Sequence, residues 1–112
     1  MSQRIAIASS DGVNIDLHFA RASGFYIYEI IDESSEYIEY RVNDATLSKH
    51  DENEFERTLK NLSDCKAIIV SQVGLNALGF IQSRGFRVFE APYRIESVLE
   101  RFIEKDILNR NL

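Results

Sequence analysis

The chain has 112 residues, 45% of them hydrophobic and 28% charged, which predicts one folded domain over residues 1–112. Its formal net charge of −5 argues against nonspecific nucleic-acid binding and against attachment to an anionic membrane, since both depend on Lys and Arg. One cysteine cannot form an internal disulfide and no apolar run reaches transmembrane length, so we expect a cytoplasmic protein without membrane contact.

The first part of the chain predicts three strands. Apolar alternation over residues 3–9 favours a first strand, and the Asp11-Gly12 pair that follows is typical of a tight turn. Aromatic and β-branched residues dominate residues 25–31, and alternation continues over residues 37–42 after a polar turn. These last two segments predict an antiparallel hairpin.

The middle of the chain changes to a helical period. Asp51 is a candidate N-cap for a first helix, whose apolar stripe contains Phe55, Leu59 and Leu62. Residues 66–72 then contain a continuous apolar run, which is typical of a strand covered on both faces. This segment therefore predicts a buried fourth strand.

The last third repeats the alternation of helix and strand. Gly74 opens a second helix that carries Leu75 in its apolar stripe and ends at Gly85. Residues 86–91 predict the last strand, and a third helix follows Pro92. The order β-β-β-α-β-α-β-α predicts an α/β fold with a mixed five-stranded sheet and helices on its faces.

His18 is the main candidate for metal chemistry. It follows the first strand, and a neutral imidazole is a ligand suited to iron, zinc and copper, whereas His50 lies in a polar segment. Arg21 can pair with an anionic ligand through charge-assisted hydrogen bonds. Two alternatives stay open: the ring of His18 packs on Phe19 at the surface, and Arg21 forms a salt bridge with a carboxylate.

The single thiol, Cys65, favours burial as a small hydrophobe, which is the usual state of a free cysteine. Asp64 beside it raises the cost of forming a thiolate. Because iron–sulfur clusters are typically held by several thiolates, this chain can at most receive a preassembled cluster.

Gly74 lies where a strand leads into a helix, which is a common position for anion binding in α/β proteins. The alternative is a turn that needs a permissive backbone. The sequence contains no recognisable catalytic triad, nucleophile elbow or acidic residue within its first strand, so we expect a protein that is not an enzyme.

Several segments together resemble a known family. They are His18-Phe19-x-Arg21-Ala22, the aromatic strand that begins at Phe25, Asp64-Cys65 before the buried strand, Gly74, and Gly85-Phe86. In this order they resemble the dinitrogenase iron–molybdenum cofactor biosynthesis family, the NifX type of domain that also occurs at the end of NifB proteins. The resemblance covers nearly the whole chain.

The resemblance implies a ribonuclease H-like fold and a carrier or chaperone role in nitrogen fixation. The cargo would be the iron–molybdenum cofactor or an iron–sulfur precursor, and the partners would be cofactor-assembly proteins. His18 would be the metal ligand, and the other cofactor-binding candidates are Phe19, Arg21, Cys65 and the amides around Gly12 and Gly74.

Ala20 stands where the family usually has glycine, and a positive φ at that position would cost alanine about 1–2 kcal/mol. This difference leaves room for a second interpretation, a cofactor-free protein-interaction or regulatory module on the same fold. A third interpretation, a hydrolase on the nuclease-like fold, is disfavoured because the first strand lacks a carboxylate.

Overall fold

The computed structural model of the chain describes residues 2–43 and 52–109. The elements follow the predicted order: β1 (Ser2–Ala8), a 3₁₀ turn (Phe19–Arg21), β2 (Gly24–Ile31), β3 (Ser34–Val42), α1 (Glu52–Asn61), β4 (Cys65–Val70), α2 (Leu75–Ser83), β5 (Arg87–Glu90), α3 (Ile95–Glu104) and a second 3₁₀ turn (Ile107–Asn109). His50 and the candidate N-cap Asp51 lie outside the described residues. Among the described helices, none is both long and apolar enough to cross a membrane.

The five strands form one mixed sheet in the order β3-β2-β1-β4-β5. β1 pairs antiparallel with β2, and β2 pairs antiparallel with β3, which confirms the predicted hairpin. On its other side β1 is parallel to β4, and β4 is parallel to β5. The carboxyl ends of β1, β4 and β5 therefore meet at one edge of the sheet, which we call the carboxyl edge.

Two apolar cores lie on opposite faces of the sheet. Ala6 of β1 and Ile68 of β4 face the core that α1 and α2 cover, whereas Ile5 and Ala67 face the core under α3. This alternation is the two-residue period of strands. The four apolar residues of β4 from Ala67 to Val70 are all 0% exposed, as the continuous run in the sequence predicts.

Element boundaries differ from the prediction mainly in the hairpin. β3 begins at Ser34 instead of residue 37, because a turn with Asp32 at φ 54° returns the chain directly onto β2. Ser34 pairs with Ile31, so backbone pairing extends the strand into polar residues that lack strand propensity. At the end of α2, Gly85 adopts φ 91°, which confirms it as the residue that ends the helix.

The loops at the carboxyl edge are joined to one another by backbone hydrogen bonds. The amide of Ile15 donates to the carbonyl of Tyr93 at 2.9 Å, and the amide of Ile95 donates to the carbonyl of Val13 at 2.8 Å. The long loop after β1 is thus fixed against the loop after β5, and it is held in place from one side before it reaches His18.

Candidate functional site

The segment around His18 is attached to the end of β4. The amide of Ser71 donates to the carbonyl of Leu17 at 3.0 Å, and the amide of Phe19 donates to the carbonyl of Gln72 at 3.1 Å. His18 and Gln72 form a parallel bridge between these two bonds. His18 is therefore a fixed part of the carboxyl edge, since both of its neighbours in the chain are bonded to the strand end.

Side chains alternate in direction across this short bridge. Phe19 is only 2% exposed, and its ring lies 5.7 Å from the ring of Phe55 on α1. His18 points the other way and is exposed. The 3₁₀ turn follows at once, with the amide of Arg21 donating to the carbonyl of His18 at 3.0 Å. Phe19 thus anchors the turn in the core and leaves the imidazole in solvent.

The imidazole of His18 and the guanidinium of Arg21 are both available to a ligand. Within residues 2–43 and 52–109, neither side chain forms a hydrogen bond or an ion pair. The alternative in which Arg21 pairs with a carboxylate has no support among these residues. Phe19 is buried and His18 is exposed, and the alternative in which the ring of His18 packs on Phe19 stays a prediction.

The start of α2 forms the opposite side of the site. Gly74 is the N-cap, with φ −72° and ψ 159°, and its carbonyl accepts from the amide of Leu78 at 2.9 Å. No side chain caps this end, so the first amides of the helix lack an intrahelical acceptor and carry partial positive charge.

The expectation that the turn at Gly74 needs a permissive backbone is wrong. Its φ is ordinary for any residue, and a Cβ added there would meet nothing within 4 Å. What glycine contributes is the absence of a side chain, which leaves the amides at the helix start uncovered.

His18, Phe19, Arg21 and Gly74 line one open cleft of about 760 Å³, within the usual range for ligand sites. Phe55 and Ala77 contribute apolar surface to its wall. The complete set of lining residues is Asp16, Leu17, His18, Phe19, Ala20, Arg21, Phe55, Gln72, Gly74, Leu75, Asn76 and Ala77. We call this depression the His18 cleft.

The charge balance of the His18 cleft favours an anion. Among the described lining residues, Asp16 is the one carboxylate, and its two oxygens accept hydrogen bonds from the amide and hydroxyl of Ser10. Arg21 and the uncapped start of α2 remain as unmatched positive groups.

In the described parts of the chain, no three side chains are grouped to hold a metal ion by themselves. A metal bound to His18 therefore needs further ligands from the cargo or from another molecule.

Sequence reasoning missed several cleft residues. Leu75 is 86% exposed at the cleft, although the helical period placed it in the buried stripe of α2. Phe55 forms part of both the core and the cleft wall. The available signal was the polar Gln72 and Asn76 around Gly74, since polar side chains on both sides of a helix start are typical of an open strand–helix junction.

Ala20 shows none of the strain that the missing glycine suggested. Asp32 and Asp106 are the two non-glycine residues with positive φ in the described parts of the chain, and Ala20 lies within the 3₁₀ turn. The turn therefore accepts alanine without a positive φ.

Gly12 does not belong to the His18 cleft. It has φ 77°, and its amide donates to the hydroxyl of Ser9 at 2.9 Å. A Cβ at this position would lie 3.1 Å from the ring of Tyr26. The glycine is explained by this local turn, and it supplies no donor to the cleft.

Cys65 also lies apart from His18. It begins β4, so five residues separate it from the carboxyl edge, roughly 16 Å along the strand. The thiol is buried, and burial together with the neighbouring Asp64 raises the pKa of Cys65 to about 12. This confirms the interpretation of Cys65 as a small buried hydrophobe.

A paired charge cluster lies beside the buried thiol, whose sulfur is 3.7 Å from an oxygen of Asp64. Arg41 donates to Asp64 at 2.6 and 2.8 Å, and Arg4 donates to the same carboxylate at 3.0 Å. The hydrogen bonds from Arg41 hold the pKa of Asp64 well below its usual range. We call Arg4, Arg41 and Asp64 the Asp64 cluster, and its charges are satisfied within the chain.

The fold and the cleft define a class of protein: a small α/β domain that presents one histidine, one arginine and a helix start at the carboxyl edge of its sheet. The profile of the family described as "Dinitrogenase iron-molybdenum cofactor" matches residues 1–105. The chain therefore belongs to the dinitrogenase iron–molybdenum cofactor family.

Individual relatives agree with this family. The chain is 27% identical over 108 residues to the FeMo cofactor biosynthesis protein NifB of Chlorobaculum tepidum, covering 96% of this chain. It is 26% identical over 91 residues to the NifB of Frankia alni, covering 77% of this chain. These matches span 24% and 18% of the two NifB proteins, so the chain corresponds to about a fifth to a quarter of their length.

A solved structure shows the same fold. The apo form of the orange protein from Desulfovibrio gigas superposes with a TM-score of 0.70 at 22% identity. The superposition covers 92% of this chain and 88% of the orange protein.

Proposed function

We propose that this protein is a non-enzymatic carrier for the iron–molybdenum cofactor or for an iron–sulfur precursor of it, and that the cargo binds in the His18 cleft. The observation that supports this most directly is an exposed imidazole and an exposed guanidinium, without partners among the described residues, beside an uncapped helix start. Family membership supplies the class of cargo.

Each part of the cleft has a chemical role in this proposal. The neutral imidazole of His18 donates its lone pair to an iron or molybdenum atom at an open position of the cluster. Arg21 and the first amides of α2 offset the negative charge of the cargo, by charge-assisted hydrogen bonds and by the helix dipole. Leu75 and Phe55 contact its less polar surface.

A single protein ligand suits a carrier. Because no group of three ligating side chains occurs in the described residues, the cargo keeps most of its own coordination sphere. One ligand and a few hydrogen bonds can be exchanged for those of an acceptor protein without dismantling the cluster. We therefore propose transfer partners among cofactor-assembly proteins.

The strand order with an antiparallel β2 also supports our assignment of the fold to the ribonuclease H-like class.

The test is an anaerobic titration of the apo protein with isolated iron–molybdenum cofactor, and separately with a preassembled [4Fe–4S] cluster, followed by visible absorption and EPR. We expect His18→Ala to weaken binding at least tenfold, about 1.4 kcal/mol. His50→Ala and Cys65→Ala are matched controls, since they remove the other histidine and the only thiol. Both should bind like the wild type.

Two outcomes would contradict the proposal. Undiminished binding and an unchanged EPR signal in His18→Ala would remove His18 from the site. Absence of binding by the wild-type protein to either cluster would exclude the carrier role. It would favour the alternative of a cofactor-free interaction or regulatory module, especially if a partner protein co-purifies with metal-free protein.

A further inference from the structure

A second depression, of about 800 Å³, runs along α3. One wall consists of α3 side chains as far as Arg101, with the N-cap residue Arg94 at the start of the helix. Asn14, which forms an isolated antiparallel bridge with Arg94, and Pro92 and Tyr93 of the loop after β5 complete the lining. We call this depression the α3 groove. It shares no lining residue with the His18 cleft.

The helical period explains how these side chains are arranged. Residues three or four positions apart share one side of a helix, so Ser97, Val98 and Arg101 lie on one side of α3, and the extended N-cap Arg94 lines the groove at the start of the helix. Val98 is 7% exposed and forms part of the apolar floor, whereas both arginines are exposed. Seven residues of helix correspond to about 10.5 Å, which is the approximate separation of the two guanidinium attachment points.

The charges of the α3 groove are unmatched. Among the described residues, those lining the groove include no Asp or Glu, and neither Arg94 nor Arg101 forms an ion pair. Arg4 pairs with Glu29 and Arg84 with Glu56, whereas Arg21 of the His18 cleft and Arg57 of α1 also form no ion pair with a described residue. In a chain with net charge −5, two unpaired arginines on one apolar groove mark a surface for an acidic partner.

Exposed aromatic surface supports the same conclusion. Tyr93 is 65% exposed on the groove wall, beside Arg94. Tyrosine and arginine are enriched among residues that dominate binding energy at protein interfaces. An apolar floor, an exposed tyrosine and flanking arginines together have the composition of a docking surface for a protein segment.

We propose that the α3 groove docks an amphipathic helix of a partner protein, which carries two carboxylates seven residues apart and apolar side chains midway between them. The carboxylates of such a helix are separated by about 10.5 Å on one face, which matches Arg94 and Arg101. An extended segment places side chains of one face roughly 7 or 14 Å apart and does not match. The apolar side chains midway contact Val98 and Tyr93.

The α3 groove lies next to the His18 cleft. Asn14 lines the groove and Asp16 lines the His18 cleft, and the residue between them is bonded to the backbone of Tyr93 at 2.9 Å. A helix in the groove therefore places the partner protein next to the cleft.

The test is fluorescence anisotropy with a labelled, alanine-rich peptide of about 18 residues, long enough to form a helix. It carries glutamates seven residues apart and leucines at the two central positions. We expect saturable binding that weakens about tenfold in the double variant Arg94→Gln/Arg101→Gln. Arg57→Gln, an exposed arginine of α1 with no described ion pair, is the matched control and should bind like the wild type.

A second peptide tests the geometry. Glutamates five residues apart lie on different faces of the helix, so this peptide should bind about tenfold more weakly. Equal affinity of the two peptides, equal affinity in the double arginine variant, or no saturable binding by the wild type would overturn the proposal. Self-association of the chain that is lost in the double variant would instead assign the groove to a second copy. The assay contains no cluster, so its failure leaves the carrier proposal standing.

Discussion

The two ends of β4 differ in how exposed and how well paired their reactive side chains are. At the carboxyl edge, His18 and Arg21 extend into an open cleft without partners among the described residues. At the amino end, Cys65 is 6% exposed, and the Asp64 cluster above it is internally paired. The sequence made His18 the main candidate for metal binding, and the family resemblance added Cys65 to the cofactor-binding candidates. Among the described residues, the edge where the parallel strands end presents ligand groups without partners, whereas the amino end of β4 uses its side chains for packing and for internal ion pairs.

The largest effect that tests this comparison is on thiol reactivity. Because the pKa of Cys65 is raised from 9.0 to about 12, the thiolate population at pH 8 falls roughly 10³-fold. We expect the folded protein to react with iodoacetamide about 10³-fold more slowly than the same protein unfolded in urea, measured by mass spectrometry. Folded and unfolded rates within tenfold of each other would show that Cys65 reacts readily in the folded protein. This result would contradict the difference between the two ends of β4.

The next effect concerns the anchor of the cleft. Phe19→Ala removes a ring that is 2% exposed and packs on Phe55, and we expect a loss of about 3 kcal/mol in the free energy of unfolding. This is the lower part of the usual range, because the adjacent cleft lets the site relax. Urea denaturation measures it, with Phe19→Leu as the volume-retaining control. A loss below about 1 kcal/mol would mean that backbone bonds alone hold His18.

A smaller effect tests the 3₁₀ turn. Ala20→Gly restores the residue usual in the family, and we expect it to destabilise the protein by about 0.5–1 kcal/mol, because the native φ suits alanine and glycine adds backbone entropy to the unfolded chain. The matched control is the reverse substitution at another position, Gly12→Ala. It should also destabilise the protein, because Gly12 has φ 77°, which is unfavourable for alanine. A stabilising effect of Ala20→Gly would show that alanine is strained after all.

The smallest effect is a pH dependence at the carboxyl edge. Backbone amides of Asn14 and Val13 donate to Asp11 and lower the pKa of its carboxyl from 3.8 to about 2. A depressed pKa stabilises the folded state above pH 3.8, and this contribution is lost as the pH falls toward about 2. Asp11→Asn should therefore be less stable than the wild type at pH 7, with the difference shrinking between about pH 4 and pH 2.

Urea denaturation across this pH range measures the difference. Glu33→Gln is a suitable control, because the carboxylate of Glu33 accepts no hydrogen bond from a described residue. A gap between Asp11→Asn and wild type that stays constant down to pH 2 would assign the effect to packing of the turn.

Most of the fold could be predicted from the sequence because each element has its own local period. The continuous apolar run of β4 and the glycine at Gly85 gave the right strand and the right helix end. The start of β3 could not be predicted, because Ser34 becomes a strand residue only through its pairing with Ile31. Such pairing depends on how the turn at Asp32 aligns two strands, which local propensity does not contain.

The site was predicted only in part for a similar reason. His18 and Gly74 could be placed together once both were recognised as following strands that end at one edge. The family resemblance grouped Cys65 with His18 and Gly74 as cofactor-binding candidates. A sequence motif does not show at which end of a strand each of its residues lies. Leu75 was misplaced because helical periodicity gives the spacing of a stripe and leaves its direction relative to the core undetermined.

The uncapped start of α2 has a consequence for hydrogen exchange. The amides of Leu75, Asn76 and Ala77 have no intrahelical acceptor, so they should exchange with deuterated solvent rapidly in the apo protein. The amide of Leu78, which donates to Gly74 at 2.9 Å, should exchange slowly. Cargo that accepts hydrogen bonds from the helix start would slow the first three amides and leave Leu78 unchanged. The first turn of α2 thus reports occupancy of the cleft from within the protein, independently of the colour or spin state of the metal cluster.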